Sequence, residues 1–159
     1  MHPEKDFIEL IQQNQGLIYK VAKVYANSNE DEQDLYQEIV YQLWKSFSSF
    51  RNEAKISTWM YRIALNTSIA HLNREKRRTY VTLDETFFNK PEAVDTIHNE
   101  QLEILYAQIK KLNTIEKGII LLYLEGKSYD EIASITGFTV TNIGTRLGRI
   151  KQKIISQIN

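Results

Sequence analysis

The chain has 159 residues with 20 Lys/Arg, 20 Asp/Glu and no cysteine, which gives a formal net charge of zero. Without cysteine it can form neither a disulfide framework nor a thiolate metal site, and we expect a cytosolic protein. No apolar run approaches the roughly 18 residues of a membrane span, and the N-terminus lacks a secretory pattern. Two prolines and six glycines in a chain rich in leucine and isoleucine predict an all-α fold.

The zero net charge conceals four blocks of alternating sign. Residues 1–40 hold three Lys/Arg against eight Asp/Glu, and residues 41–78 hold eight against two. Residues 79–108 hold one against six, and residues 109–159 hold eight against four. The net charges are therefore −5, +6, −5 and +4. Two basic blocks separated by an acidic one indicate two nucleic-acid contacts, with acidic segments that face other partners or mask the basic ones.

In the first part of the acidic block 1–40, the spacing of apolar residues predicts a helix. Apolar residues recur at helical spacing from Phe7 to Tyr25, with Gly16 as a weak point. A second helix is predicted from about Asp31 to Phe50, and its core face carries Leu35, Ile39, Leu43 and Phe47. Other positions on its surface carry Asp34, Gln37, Glu38, Tyr41 and Lys45. Its acidic first turn either complements the helix dipole or forms part of a docking face.

A polar break at residues 50–55 precedes a third helix, which is predicted to begin at Ser57 or Thr58. The residues expected on its buried side are Ile56, Trp59, Met60, Ile63, Thr67 and Ala70. A polar stripe on another side carries Arg62, Asn66, Asn73 and Arg77, and the helix ends in the basic segment 74–78. Aromatic residues beside a basic helix suit a single nucleic-acid strand with captured bases, although aromatics at helical spacing also suit a protein core.

Residues 79–99 have no sustained periodicity, contain Pro91 and are acidic, which predicts a flexible linker with a transient turn near Leu83–Phe88. The spacing of apolar residues then predicts one helix from Leu102 to Leu112 and another over residues 115–124. These two helices are expected to supply the core under the last part of the chain.

The segment 128–154 has the pattern of a helix-turn-helix. Ser128 and Glu131 have the spacing of a capping box, and Gly137 suits a turn with positive φ. Thr139 can cap a second helix, whose outward face carries Thr141, Asn142, Thr145, Arg146 and Arg149. These side chains suit base edges and phosphates in a major groove. A plain helical hairpin with a solvated polar face is the alternative.

Several of these segments resemble a bacterial RNA polymerase sigma factor of the sigma-70 family. The segments similar to its first conserved domain are 34–38, 43–44, 50–51 and 57–66. The segment 123–133, followed by Gly137, is similar to its last domain. Only a short linker lies between them, which resembles the extracytoplasmic-function (ECF) group. The resemblance implies sigma region 2 over residues 1–78, a linker over 79–99 and sigma region 4 over 100–159.

The resemblance also implies roles for individual residues. Those expected to dock the clamp coiled coil of the largest polymerase subunit are Asp34, Gln37, Glu38, Tyr41 and Trp44. Those expected to read and melt the promoter −10 element are Phe50, Arg51, Lys55, Thr58, Trp59, Arg62, Asn66, Asn73, Arg74 and Arg77. Those expected to read the −35 element are Thr139, Thr141, Asn142, Thr145, Arg146, Arg149 and Lys151.

The partners implied by the resemblance are core RNA polymerase, promoter DNA and an anti-sigma protein that covers both domains and could hold the chain at the inner membrane face. The acidic linker would run toward the polymerase active-site cleft. No cofactor, metal ion or small-molecule substrate is implied. Ala70 and Asn73 stand where relatives often have an acidic residue and an arginine, which bears on the −10 sequence preference. Asn113 replaces a proline that is common in relatives.

Two other classes of protein are compatible with parts of this pattern. A helix-turn-helix repressor or activator would bind duplex DNA specifically without polymerase, and its N-terminal half would sense a ligand or dimerise. An enzyme is not predicted. His2, His71 and His98 lie in unrelated segments, there is no glycine-rich phosphate loop, and no His/carboxylate cluster has metal-ligand spacing along the sequence.

Overall fold

A computed structural model describes residues 3–50, 55–81 and 100–158, with side chains in the second range described as far as Lys76. These ranges contain α-helices and no strand, so the predicted all-α fold is confirmed. The helices are α1 (Pro3–Gln13), α2 (Gln15–Tyr25), α3 (Asn29–Phe47), α4 (Ile56–Val81), α5 (Glu100–Lys110), α6 (Thr114–Leu124), α7 (Tyr129–Thr136) and α8 (Val140–Ile158). None of them is long and apolar enough to cross a membrane.

The N-terminal domain consists of α1 to α4, and its core lies where α2, α3 and α4 meet. The side chains that are fully buried there include Ile18, Val21, Leu35, Ile39, Leu43 and Met60. Leu35, Ile39 and Leu43 recur at a spacing of four, which places them on one face of α3 as the sequence predicted. Ser28 fixes the start of α3, because its Oγ accepts a hydrogen bond from the Asp31 backbone N–H at 3.1 Å.

The predicted boundaries in this domain needed several corrections. The first helical stretch breaks at Asn14, not at Gly16, because the Asn14 side-chain amide donates to the Leu10 carbonyl at 2.8 Å and ends α1. The α3 helix ends at Phe47, three residues before the predicted end, and α4 begins at Ile56. The α4 helix continues to Val81, beyond the predicted start of the linker. Ala70 is exposed, so it was wrongly assigned to the buried side of α4.

The C-terminal domain consists of α5 to α8, and polar caps define its helix starts. Asn113 forms a capping box with Glu116 at the start of α6, and Ser128 forms the predicted one with Glu131 at the start of α7. Gly137 ends α7 at φ 86°, a conformation that glycine adopts without the steric cost of a Cβ atom. The residues fully buried beneath these helices include Ile119, Leu122, Ile132, Ile143, Leu147 and Ile150.

The two domains pack against each other. The α2 helix contacts α5 and α6, and α4 contacts α7. The Tyr25 hydroxyl, at the end of α2, donates to the Thr114 carbonyl at 2.7 Å across this boundary, and burial raises the pKa of Tyr25. The predicted linker turn at 83–88 lies outside the described residues. The sequence contained no information on how these two groups of helices contact each other.

Candidate polymerase and nucleic-acid interfaces

Most of the predicted polymerase-binding residues lie on the solvent-facing surface of α3. Asp34 and Gln37 are exposed, and Tyr41 and Trp44 are 55% and 43% exposed, respectively. The Trp44 ring also packs on Phe7 of α1 with ring centroids 5.0 Å apart, so this residue contributes to the domain as well as to its surface. Exposed aromatic residues beside exposed polar ones are typical of protein interfaces.

Glu38, the fifth residue of this predicted surface, is partly buried, and its side chain is 29% exposed. Its carboxylate lies 3.0 Å from His71 Nδ1 and forms an ion pair with Arg74, while His71 Nε2 lies 2.6 Å from Asp31. The His71 side chain is 8% exposed. These contacts connect α3 to α4, so Glu38 and Arg74, which were predicted to bind two different partners, bind each other in the described structure. Substitutions at either residue therefore also remove a contact between α3 and α4.

The fold also brings together a His/carboxylate group that spacing along the sequence did not indicate. Ligand atoms of Asp31, His71 and Glu75 lie within 4.8 Å of one another. Sequence reasoning missed the cluster because Asp31 is 40 residues away from His71. Both His71 ring nitrogens already contact carboxylates, and hydrogen bonding between α3 and α4 accounts for the geometry.

The aromatic residues of the predicted −10 surface form one cluster at the beginning of α4. The Trp59 ring lies 5.0 Å from Phe50 and 6.4 Å from Phe47, measured between centroids, and it is partly buried. An open cleft at this end of the domain is lined by the apolar residues Leu10, Phe47, Phe50 and Ile56 and by the polar residues Asp6, Glu9 and Gln13. The Trp59 side chain therefore packs against the domain core, and part of its own surface remains accessible to solvent.

The polar residues of the −10 set are placed unequally. Asn66, Asn73 and Arg74 are exposed along α4, and Lys55 is exposed just before it. Thr58 is only 5% exposed, so the prediction that it contacts DNA does not fit its position, since a buried side chain in the first turn of α4 cannot reach a strand. Arg51 and the Arg77 side chain lie outside the described residues. Arg62 is partly buried, and its guanidinium donates to the Ser134 carbonyl at 2.8 Å.

The predicted −35 surface is presented by α8. The Thr139 Oγ1 accepts from the Asn142 backbone N–H at 3.1 Å and caps the helix, as predicted. The exposed residues of α8 include Thr141, Thr145 and Arg149. Lys151 is turned toward the domain instead, because its ammonium donates to the Tyr123 hydroxyl at 3.0 Å, and this bond raises the Lys151 pKa.

Arg146 makes two side-chain contacts on this surface. Its Nε donates to Asn142 Oδ1 at 2.6 Å, and its guanidinium carbon lies 4.3 Å from the centre of the Phe138 ring. These contacts use the Nε–H and one face of the guanidinium plane, and they restrict the side chain before any ligand arrives. Preorganised arginine donors suit bidentate contacts to guanine in a major groove.

The fold defines a two-domain helical protein with a helix-turn-helix in its second domain, and comparisons with known proteins identify its class. The Sigma-70 region 2 family model matches residues 10–78, and the Sigma-70 region 4 family model matches residues 102–154. The chain therefore belongs to the sigma-70 family, in its ECF group.

Curated relatives agree with this assignment. The chain is 32% identical to the ECF RNA polymerase sigma-E factor of Haemophilus influenzae, over 98% of this chain and 88% of that protein. It is 27% identical to the ECF RNA polymerase sigma-E factor of Escherichia coli K12, over 98% of this chain and 87% of that protein. As a sigma factor, the protein binds core RNA polymerase and directs promoter-specific initiation of transcription, and the alternative of a free-standing regulator is not supported.

Two solved structures share the fold. One is the sigma factor RpoE in complex with the anti-sigma factor NepR from Bartonella quintana, with a TM-score of 0.79, 18% identity and 97% of each chain covered. The other is CnrH in complex with the cytosolic domain of CnrY, with a TM-score of 0.70 and 20% identity over 98% of this chain and 88% of that one. In both structures the similar chain is in complex with a second protein.

Proposed function

We propose that the protein divides its sigma function among three surfaces: the outer face of α3 for core polymerase, the exposed side of α4 for the −10 strand, and α8 for the −35 duplex. One observation supports this division. Each of the three helices has exposed polar groups on one side and fully buried residues on the other. The role is non-catalytic, its place is the cytoplasm, and an anti-sigma protein is its regulator. The proposal of an anti-sigma regulator is supported by the two similar solved structures, in which the similar chain is in complex with a second protein.

On α3, the proposed polymerase contacts are now Asp34, Gln37, Tyr41 and Trp44. Glu38 is removed from the direct contacts, because its carboxylate is already engaged by His71 and Arg74. Asp34 lies past the first turn of α3, so it contributes little to the helix dipole, which acts mainly within that turn. An interfacial role is therefore a better explanation of Asp34 than helix capping.

The Asp34→Lys substitution should weaken binding to core polymerase by at least about tenfold, in the range of an interfacial residue whose charge is reversed. The expected thermal unfolding curve is close to that of the unsubstituted protein, because Asp34 is exposed. Affinity for core enzyme and circular dichroism would be measured together. Glu30→Lys is the matched control, since Glu30 is an exposed acid in the first turn of the same helix. Equal losses of affinity in both variants would count against the assignment.

On α4, Asn66 is the best residue with which to test the −10 role. It is exposed, and alanine at this position should raise helix propensity by up to about 0.7 kcal/mol, so the domain should remain folded. With core polymerase, Asn66→Ala should reduce the permanganate reactivity of −10 thymines several-fold, because a contact to the melted strand is lost.

Gln33→Ala provides the control for Asn66→Ala, as an exposed amide on α3. Trp59→Ala is a poorer test of melting, because it also removes the packing on Phe50 and Phe47. Unchanged permanganate reactivity in a folded Asn66→Ala holoenzyme would remove Asn66 from the proposed contacts.

A further inference from the structure

One histidine and three carboxylates meet between α3 and α4, and the proposed function assigns no ligand to them. His71 Nδ1 lies 3.0 Å from Glu38, and His71 Nε2 lies 2.6 Å from Asp31. Ligand atoms of Asp31, His71 and Glu75 lie within 4.8 Å of one another. The side chains of His71 and Asp31 are only 8% and 15% exposed, so the group is largely shielded from water. We name Asp31, His71 and Glu75 the α3–α4 ligand set.

The ligand set comes from two helices. His71 and Glu75 are four residues apart on α4, which places them on the same face of that helix. Asp31 belongs to the first turn of α3 and is held there by the Ser28 cap. Its Oδ2 also accepts from the Asn27 backbone N–H at 2.9 Å, and its Oδ1 is directed at His71. An imidazole nitrogen and two carboxylate oxygens are ligands that Zn²⁺ and related divalent metal ions accept.

Glu38 fixes the orientation of the His71 ring. One of its oxygens faces His71 Nδ1, and the other forms an ion pair with Arg74. A carboxylate only accepts hydrogen bonds, so Nδ1 carries a hydrogen and Nε2 is the nitrogen that faces Asp31. Metal-binding histidines usually donate their second ring N–H to a carboxylate, which orients the ring and makes the ligating nitrogen more basic. Glu38 has the position of that supporting carboxylate.

A cation must lie between His71 Nε2 and Asp31, because a ring nitrogen lone pair and a carboxylate oxygen would otherwise repel each other at 2.6 Å. A proton satisfies these two atoms and gives the hydrogen bond between α3 and α4. A divalent metal ion satisfies the same two atoms and also binds the Glu75 carboxylate. The charges of Glu38 and Arg74 cancel, so one such ion balances the two remaining carboxylates.

Only small movements are needed to bind a metal ion. Zn²⁺ bonds of about 2.0–2.2 Å separate the ligand atoms of a tetrahedral site by about 3.3–3.5 Å. The contact between His71 and Asp31 is shorter than this at 2.6 Å, and the 4.8 Å that encloses all three ligand atoms is longer. Side-chain rotations that move the ligand atoms by up to about 1.5 Å are therefore sufficient.

We propose that Asp31, His71 and Glu75 form a binding site for a divalent first-row transition-metal ion such as Zn²⁺, with water as the fourth ligand. Binding replaces the proton between His71 Nε2 and Asp31, and that proton leaves to solvent. The bound ion joins the first turn of α3 to α4 and stabilises the folded N-terminal domain. A negative result would leave the proposed polymerase and DNA surfaces unaffected, because none of the three ligands is assigned to them.

A single-histidine chain isolates the site for NMR spectroscopy. His2 and His98 are the other two histidines, so an untagged His2→Gln/His98→Gln chain has His71 as its sole imidazole. Adding Zn²⁺ should shift the ring-nitrogen resonance of His71 Nε2, while Nδ1 should keep its hydrogen. Unchanged ring nitrogens at millimolar Zn²⁺ would overturn the site, and binding through Nδ1 would overturn the role given to Glu38.

Thermal unfolding of the same chain measures the stabilisation. A ligand that binds only the folded form at about one hundred times its Kd raises the folded-to-unfolded ratio about a hundredfold, so Zn²⁺ should raise the melting temperature. Glu75→Gln should remove most of this shift, because it replaces a carboxylate ligand by a neutral amide of the same size. Asp31→Asn makes the same change at the ligand on α3 and decides the question if Glu75→Gln does not fold.

Glu32→Gln is the matched control, since Glu32 is a partly buried carboxylate of α3, as Glu75 is of α4, and lies outside the ligand set. It should keep the full Zn²⁺ shift. Equal shifts in Glu75→Gln and Glu32→Gln would place the metal elsewhere and contradict the proposal.

Mg²⁺ distinguishes this site from an acidic surface that attracts any divalent cation. Mg²⁺ prefers oxygen ligands and gives up its water reluctantly, so it should bind at least about tenfold more weakly than Zn²⁺ at a site with an imidazole ligand. The measurement is the same thermal unfolding experiment at equal concentrations of the two ions. Equal stabilisation by Mg²⁺ and Zn²⁺ would contradict coordination by His71.

Discussion

Replacing Ile143 with alanine should destabilise the C-terminal domain by about 2–5 kcal/mol, the usual cost of truncating a buried isoleucine. Ile143 is fully buried at the crossing of α7 and α8, where it holds the helix-turn-helix together. The domain is small, so this loss is a large fraction of the about 5–15 kcal/mol available to a typical protein. We expect an earlier urea transition by circular dichroism and a loss of −35 binding.

Ile155→Ala is the matched control for this substitution, because it removes the same atoms from the same helix at a position that is 58% exposed. Its expected effect is within about 0.5 kcal/mol of zero. If the two variants unfolded at the same urea concentration, the helix-turn-helix core assigned to α7 and α8 would be wrong.

Replacing Arg146 with alanine should cost about 1–3 kcal/mol of promoter affinity in the holoenzyme, and the loss should depend on the −35 sequence. Its guanidinium is restrained by Asn142 and by the Phe138 ring, so little further ordering is needed when it meets a base. Binding would be measured by fluorescence anisotropy with promoters that differ at single −35 positions.

Arg149→Ala provides the comparison, because Arg149 is exposed on the same helix and we expect it to contact a phosphate group. That variant should weaken binding to all −35 sequences alike and should reduce the salt slope by about one. Thermal unfolding of Arg146→Ala is needed in parallel, since the stacking on Phe138 is also lost. A sequence-independent loss in Arg146→Ala would reassign this residue to the phosphate backbone.

Local chemistry explains which parts of the fold were predictable. The capping box at Ser128, the cap at Thr139 and the left-handed Gly137 each depend on residues no more than three or four positions apart. The apolar stripe of α3 was predictable for the same reason. Boundaries were less accurate where a side chain ended a helix without a Gly or Pro signal, as Asn14 does at α1.

Long-range contacts explain what the sequence did not reveal. Tyr25 and Thr114 are 89 residues apart, and Arg62 and Ser134 are 72 apart, so no periodic pattern connects them. The same holds for Glu38 with His71 and Arg74, which turned a predicted polymerase contact into a link between helices. The charge blocks did not reveal which charged residues pair across the two domains, such as Lys20 with Glu125 and Lys23 with Glu103.

We conclude that this chain acts on promoters only together with core polymerase. The most direct test is run-off transcription of genomic fragments by core enzyme with and without the full chain, combined with anisotropy titrations of the same promoters. We expect chain-dependent transcripts that start downstream of shared −35 and −10 elements, and tight promoter binding only when core enzyme is present. No chain-dependent transcript, together with tight and sequence-specific duplex binding by the chain alone, would contradict it.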